Sequence, residues 1–227
     1  MLKAIIFDCD GIIANTEPLH FAALTRTLAE EGIEITESEY YDEYLAFDDK
    51  GCFKMAFNKS NRPLTEEKIK QLISRKAAYF EPNLKKNLQL FPGVLSFIHL
   101  TSSKYPLAIA SGARRDEILA ILNFANLTEF FNGIVSTEDV VKGKPDPESF
   151  LKALSILQSQ GNSSLNSENC LVIEDSIKGI KAARAAGMLC VAVTNSYKRD
   201  ELSHADLIVD SLADLTLSEV ESLFLKS

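Results

Sequence analysis

The sequence predicts an α/β protein: a doubly wound parallel-sheet core of Rossmann type, interrupted after its first strand by an inserted α-helical cap. Three observations predict it. Short apolar runs recur along the chain, hydrophobic on both faces as strands buried between helical layers must be. From about residue 105 onward they alternate with helical periodicities, the pattern of a doubly wound fold. Between about residues 16 and 90 the alternation stops, and only helical periodicity is found.

Each element has its own signal. The first strand, Ala4-Ile5-Ile6-Phe7, ends in the acidic turn Asp8-Cys9-Asp10-Gly11. Helical segments follow at Phe21 to Glu31 (closed by Gly32), Glu37 to Leu45, Gly51 to Asn58, and Thr65 to Phe80, the last capped by Thr65 with Glu66 and Glu67 in its first turn. The core resumes at Phe91-Pro92-Gly93. Its strands are Leu107 to Ala110 (ending in Ser111-Gly112), Gly133 to Val135, Cys170 to Ile173 (ending in Glu174-Asp175), Leu189 to Val193, and Leu207 to Val209. Between them lie helices at Arg114 to Phe124, at Asp146-Pro147-Glu148 through about Gln158, and at Ser176 to Ala186, which stops at Gly187. The expected domains are an α/β core, 1–15 with 92–227, and a helical insertion, 16–91.

Bulk properties narrow the function. The 227 residues suffice for one large domain or two small ones, with a core that needs neither metal nor disulfide for stability. A net charge of −8 argues against nucleic acid as a partner. The four cysteines lack paired C-x-x-C spacing and read as small buried thiols. There is no secretory h-region and no apolar stretch approaching a membrane span, so a cytoplasmic protein, monomeric or weakly dimeric, is expected.

In open α/β sheets ligands bind beyond the carboxyl ends of the strands. There stand Asp8 and Asp10, Ser111, Lys144 in the loop after the third strand, and Glu174-Asp175. A single carboxylate at a strand end is usually a helix cap or a solvated turn; six such residues at one sheet edge are a constellation. Its crowded carboxylates would raise each other's pKa unless a cation joined them, and Mg²⁺ suits oxygen ligands beside a phosphate.

Asp8-Cys9-Asp10-Gly11, Ser111, Lys144-Pro145 and Glu174-Asp175-Ser176 resemble, in order and spacing, the four motifs of the haloacid dehalogenase-like hydrolase superfamily. The helical insertion resembles the cap of its β-phosphoglucomutase and phosphoglycolate phosphatase-like subfamily. The resemblance covers nearly the whole chain. It implies a phosphoric monoester hydrolase with Asp8 as nucleophile, Asp10 as acid/base, Ser111 and Lys144 stabilising the phosphoryl group, and Gly112 admitting its close approach. It implies Mg²⁺ held by Asp8, Asp10, Glu174 and Asp175, and a small phosphorylated metabolite as substrate. A metal-free dehalogenase would lack Asp10.

The same resemblance assigns substrate contacts to Thr16, His20 and Lys76, with a cap that closes over the site. For Thr16 a helix-capping role competes; for His20 and Lys76 an exposed helix face does. Asn15 departs from the family's usual aspartate. In the mutases a cap arginine clamps a second phosphate, whereas this loop reads Ala46-Phe47-Asp48-Asp49-Lys50-Gly51. Two carboxylates would repel a dianion, which favours phosphatase over mutase chemistry. Asp48 could also simply cap the following helix.

Overall fold

The structure, a computed structural model, describes residues 1–45 and 47–225, with the side chain of Lys85 outside the description. Ala46, in the acidic loop just quoted, lies outside the described residues. The chain divides into two compact units, Met1–Asn15 with Gln89–Ser227, and Thr16–Leu88.

The larger unit is built on a six-stranded sheet of order β3-β2-β1-β4-β5-β6. Its strands are β1 (Ala4–Phe7), β2 (Leu107–Ala110), β3 (Phe131–Val135), β4 (Cys170–Glu174), β5 (Leu189–Val193) and β6 (Leu207–Val209). Every pairing is parallel. The doubly wound prediction therefore holds. The four β1 side chains have no exposed surface, which explains why the run shows no polar alternation. At roughly 1.5–3 kcal/mol for each large apolar side chain withdrawn from water, such strands anchor the unit. One sheet face packs Ala4, Ile6, Ala108 and Val172 with Phe150, Leu157 and Ile180. On β1 itself, Phe7 meets Phe97 and Phe131 edge-on at 6.1 and 5.8 Å between ring centroids.

Among the described residues this unit has five α-helices: α5 (Val94–Ser102), α6 (Arg115–Phe124), α7 (Glu148–Ser159), α8 (Ile177–Ala185) and α9 (Leu217–Leu223). Gly93 opens α5 at φ +83°, and a Cβ there would lie 2.1 Å from the Ala213 backbone nitrogen, so only glycine fits. The chain order places β2 and β3 on one side of β1 and β4 to β6 on the other. The topological switch point of the sheet falls between β1 and β4, where Phe7 pairs with Ile173. Asp8 and Glu174-Asp175 therefore leave neighbouring strands at the place where open sheets bind ligands.

The smaller unit is helical: α1 (Glu17–Ala29), α2 (Glu37–Glu39) running into a π-helical turn at Tyr40–Tyr44, α3 (Asp49–Lys59) and α4 (Glu66–Asn87). Thr36, Asp48 and Thr65 cap α2, α3 and α4 by accepting from the backbone N–H of Glu39, Gly51 and Lys68. Its core gathers Leu24, Leu28, Tyr44, Phe53, Phe57 and Leu72. Two boundaries differ from expectation. Helix α1 begins at Glu17, since Pro18 is well suited to a first helical turn. Helix α4 continues past Phe80 and through Pro82, because Leu84 and Leu88 bury themselves and outweigh the proline's local cost. No described helix is long and apolar enough to cross a membrane, and all four cysteines are free and buried.

Candidate active site

The nucleophile candidate sits at the first residue beyond β1. The Asp8 N–H donates to the Ile173 carbonyl at 2.9 Å, extending the β1–β4 ladder by one rung. The chain then turns: the Cys9 carbonyl accepts from Ile12 and Ile13, and the Gly11 N–H donates to Ala14. Gly11 holds φ +78°, and a Cβ there would lie 1.9 Å from Asp175 Oδ2. The glycine of the first motif thus lets the turn pack against the carboxylate of the last.

Lys144 reaches this turn from the loop before α7. Its Nζ lies 2.5 Å from Asp8 Oδ1 and 2.5 Å from Glu174 Oε1, above the Phe150 ring. The loop is held by Glu148, whose carboxylate accepts from the backbone N–H of Val141 and Lys142. The Lys152 ammonium and these two donors hold Glu148 down at about 2. Lys142, the neighbouring alternative, is exposed and faces Asp146 at 3.8 Å.

Ser111 follows β2 and is buried; its N–H donates to the Val135 carbonyl, and its Oγ accepts from the Ala113 N–H at 3.1 Å. Beside it Gly112 is exposed, and a Cβ there would meet no protein atom within 4 Å, so the space above it is open. Glu174 Oε2 accepts from the N–H groups of Asp175 and Ser176 and from the Ser176 hydroxyl, tying the carboxylate to the start of α8.

The electrostatics follow from burial. Asp8 is 6% exposed. Desolvation raises its pKa to about 7; Lys144 opposes the rise, while Glu174 and Asp10 add to it. Asp175, 5% exposed, is pushed well above the ordinary carboxylate range by burial and by Glu174 and Asp8. Burial would lower Lys144, but Asp8 and Glu174 more than offset it and hold the ammonium charged.

One ammonium faces four carboxyl groups, Asp8, Asp10, Glu174 and Asp175, whose oxygen donors would carry an excess of negative charge if all were ionised. That donor chemistry fits a hard divalent cation. Among the described residues no three His, Cys, Asp or Glu side chains converge on one ion position; the Lys144 ammonium stands between Asp8 and Glu174.

The structure thus brings Asp8, Ser111, Lys144, Glu174 and Asp175 to the carboxyl edge of one sheet, with Asp10 and Gly112 in the adjoining turns. Thr16, His20 and Lys76 belong to the helical unit. Thr16 is buried at the start of α1, and its carbonyl accepts from Leu19 and His20. Lys76 is 4% exposed rather than solvated. Its Nζ lies 3.0 Å from His20 Nδ1 and donates to Asp49 Oδ1. His20 stacks on Phe80 at 4.2 Å, and burial with the Lys76 charge pulls its pKa well below the usual histidine value. Asp48 accepts from the Gly51 N–H at 2.8 Å, and Lys50 pairs with Glu66. Sequence reasoning missed Asn195 and Ser196: Asn195 Nδ2 donates to the Gly11 carbonyl at 2.6 Å, and the Ser196 hydroxyl donates to Asp175 Oδ2. Their signal was their place, two polar residues directly after the β5 run.

A doubly wound sheet with a buried Asp–Lys–Glu–Asp cluster at its switch point has its charged groups where enzymes of this architecture place their active sites. Residues 5–193 match the family described as haloacid dehalogenase-like hydrolase. The chain belongs to that family, as a phosphoric monoester hydrolase.

It is 31% identical to Protein CbbY of Rhodobacter capsulatus over 98% of this chain and 99% of that protein. It is 30% identical to the β-phosphoglucomutase of Bacillus subtilis over 95% of this chain and 92% of the enzyme. It is also 30% identical, over 96% of its length, to the Arabidopsis thaliana chloroplastic Protein SUPPRESSOR OF QUENCHING 1, of which it spans only 20%. Among solved structures, CbbY from Rhodobacter sphaeroides in complex with phosphate superposes with a TM-score of 0.86 at 25% identity, covering 97% of this chain and 100% of that one.

Proposed function

We propose that the chain is a Mg²⁺-dependent phosphatase that hydrolyses a small phosphate monoester, a sugar phosphate or similar metabolite, through an aspartyl-phosphate on Asp8. The observation that carries the reading is the buried Asp8 carboxylate held 2.5 Å from Lys144 at the sheet's switch point.

In the first step an Asp8 carboxylate oxygen attacks phosphorus while the bond to the leaving oxygen breaks, and the Asp10 carboxyl gives that oxygen its proton. In the second step water attacks the same phosphorus and yields a proton to Asp10. The bond to Asp8 breaks and inorganic phosphate leaves. Lys144 faces the charge gathering on the phosphoryl oxygens. The Ser111 Oγ already accepts from Ala113, which leaves its O–H to donate to one of them. Mg²⁺, when held by Asp8, Asp175, the Asp10 carbonyl and Glu174 directly or through water, supplies the charge that lets these carboxylates stay ionised beside a phosphate.

Thr16, His20 and Lys76 are the proposed contacts to the rest of the substrate. The Lys76 charge is already matched by Asp49, which supports a substrate without a second phosphate and so favours hydrolysis over mutase chemistry. The likeness to a β-phosphoglucomutase supports a second reading, a sugar phosphomutase. Four free buried thiols and an acidic surface accord with the cytoplasm.

The test is release of inorganic phosphate from p-nitrophenyl phosphate and from a panel of phosphate esters, with and without EDTA. Glucose 1-phosphate with a sugar bisphosphate activator is included. Metal-dependent hydrolysis without isomerisation is expected; isomerisation outpacing hydrolysis establishes the mutase reading, and no turnover of any ester overturns both.

A further inference from the structure

The segment after β5 reaches into the site from its far side, and nothing in the proposed chemistry uses it. Thr194 anchors it to the edge strand: its N–H donates to the Val209 carbonyl at 3.0 Å and its hydroxyl to Asp210 Oδ1 at 2.9 Å. Arg199 closes the same corner, pairing with Asp210 at 2.8 Å and donating to the Ile208 carbonyl at 2.9 Å. Between these anchors the next two side chains turn inward. Asn195 Nδ2 donates to the Gly11 carbonyl at 2.6 Å, and the Ser196 hydroxyl donates to Asp175 Oδ2. Asp175 Oδ2 is also the atom a Cβ on Gly11 would strike at 1.9 Å. One carboxylate oxygen is therefore fixed by a hydroxyl on one side and by a backbone turn on the other, and the same loop pins that turn. The four residues interlock.

We infer that Ser196 and Asn195 are positioning residues: they orient the Asp175 carboxylate and hold the Asp8–Gly11 turn against it, and so set the affinity of the site for its divalent cation. The inference rests on the metal-dependent reading above. A carboxylate that carries a metal keeps one oxygen for the ion and gives the other to a hydrogen-bond donor that fixes its plane. Ser196 is that donor. Asn195 acts one step earlier, on the turn whose first residue is the nucleophile, so its loss disturbs Asp8 and Asp175 together.

The experiment measures Mg²⁺ binding to the full-length protein by calorimetry without substrate, and in parallel the Mg²⁺ dependence of p-nitrophenyl phosphate hydrolysis. The variants are S196A, S196T, S196C and N195A, each checked by thermal melting. S196A is expected to weaken Mg²⁺ by about 10- to 100-fold, with kcat at saturating Mg²⁺ falling less than the affinity does. S196T, which keeps the hydroxyl, restores the affinity to within about threefold, while S196C, close in size but a weak donor, does not. If S196A fails to fold, the contrast between S196T and S196C carries the test. Unchanged Mg²⁺ affinity in S196A, or equal affinities in S196T and S196C, overturns the assignment while leaving the phosphatase reading intact. A wild-type protein that neither binds nor requires a divalent cation overturns the metal-dependent reading and this one with it.

Discussion

The Lys144 ammonium stands 2.5 Å from the Asp8 carboxylate, both side chains nearly sealed from solvent. Apart from its pairing with Lys144, Asp8 is costly to bury, and it caps no helix. Its expected use is chemical. Asp8→Asn keeps the size and removes the nucleophilic oxygen charge, so turnover of any phosphate ester should fall by more than about 10³-fold. The melting temperature should not drop, since a buried charge is removed. Residual activity within tenfold of wild type would exclude Asp8 as nucleophile.

Stability should carry the signature of these buried acids. The folded Asp8 pKa of about 7 lies above the ordinary aspartate value of 3.8, so between those values the folded state binds more protons than the unfolded one. The contribution of Asp8 to stability must then fall as pH rises through that window and level off above it; Asp175, also raised, acts in the same sense, while His20, held low, acts in the opposite sense below its ordinary value of 6.5. Urea denaturation in EDTA at pH 4.5, 5.5, 6.5 and 8 should show wild type losing roughly 2–4 kcal/mol relative to Asp8→Asn, which lacks the titrating carboxyl but keeps His20. Saturating Mg²⁺ should flatten the profile. A wild-type stability that rises relative to the variant across this window would contradict the arrangement.

In the helical unit, Lys76 sits between Asp49 and His20. Removing the lysine should let His20 titrate higher, because one of the forces depressing its pKa is the Lys76 charge. Proton NMR of wild type and Lys76→Met gives the shift directly; a fall, or no change, would refute the contact. Lys76→Met alone leaves the half-buried Asp49 without its partner and should cost about 1–2 kcal/mol, whereas adding Asp49→Asn should recover most of it.

Gly179 gives a prediction of reversed sign. It lies in the first turn of α8, and glycine to alanine inside a helix ordinarily stabilises by up to about 1 kcal/mol. Here the new Cβ would lie 1.8 Å from Glu174 Oε1, the oxygen that receives Lys144. Gly179→Ala should therefore destabilise by about 1–3 kcal/mol and lower activity as well. A more stable, fully active variant would show that Glu174 has freedom the packing denies it.

Strands and motifs were legible in the sequence because burial on both faces leaves an unbroken apolar run, and because strand ends mark where ligands go. The edge positions of Asp8, Ser111 and Glu174-Asp175 follow from that rule alone. Helix ends in the smaller unit were less legible: Pro82 argues locally for a stop, and only the burial of Leu84 and Leu88 explains why α4 runs on. Lys76 looked like a solvated helix residue because sequence spacing cannot reveal that Asp49 and His20 meet it from other helices. Asn195 and Ser196 escaped for the same reason, their partners Gly11 and Asp175 being remote in sequence and close only in the sheet.

The strand order has a consequence for the newly made protein. Asp8 leaves the ribosome 136 residues ahead of Lys144, and Glu174 follows later still. Because β4 is the strand that seats beside β1, a chain halted anywhere before it has an aspartate but no site. Synthesis itself thus leaves the cluster unmade until β4 has emerged, and a product cut off before that strand carries Asp8 without Glu174 or Asp175.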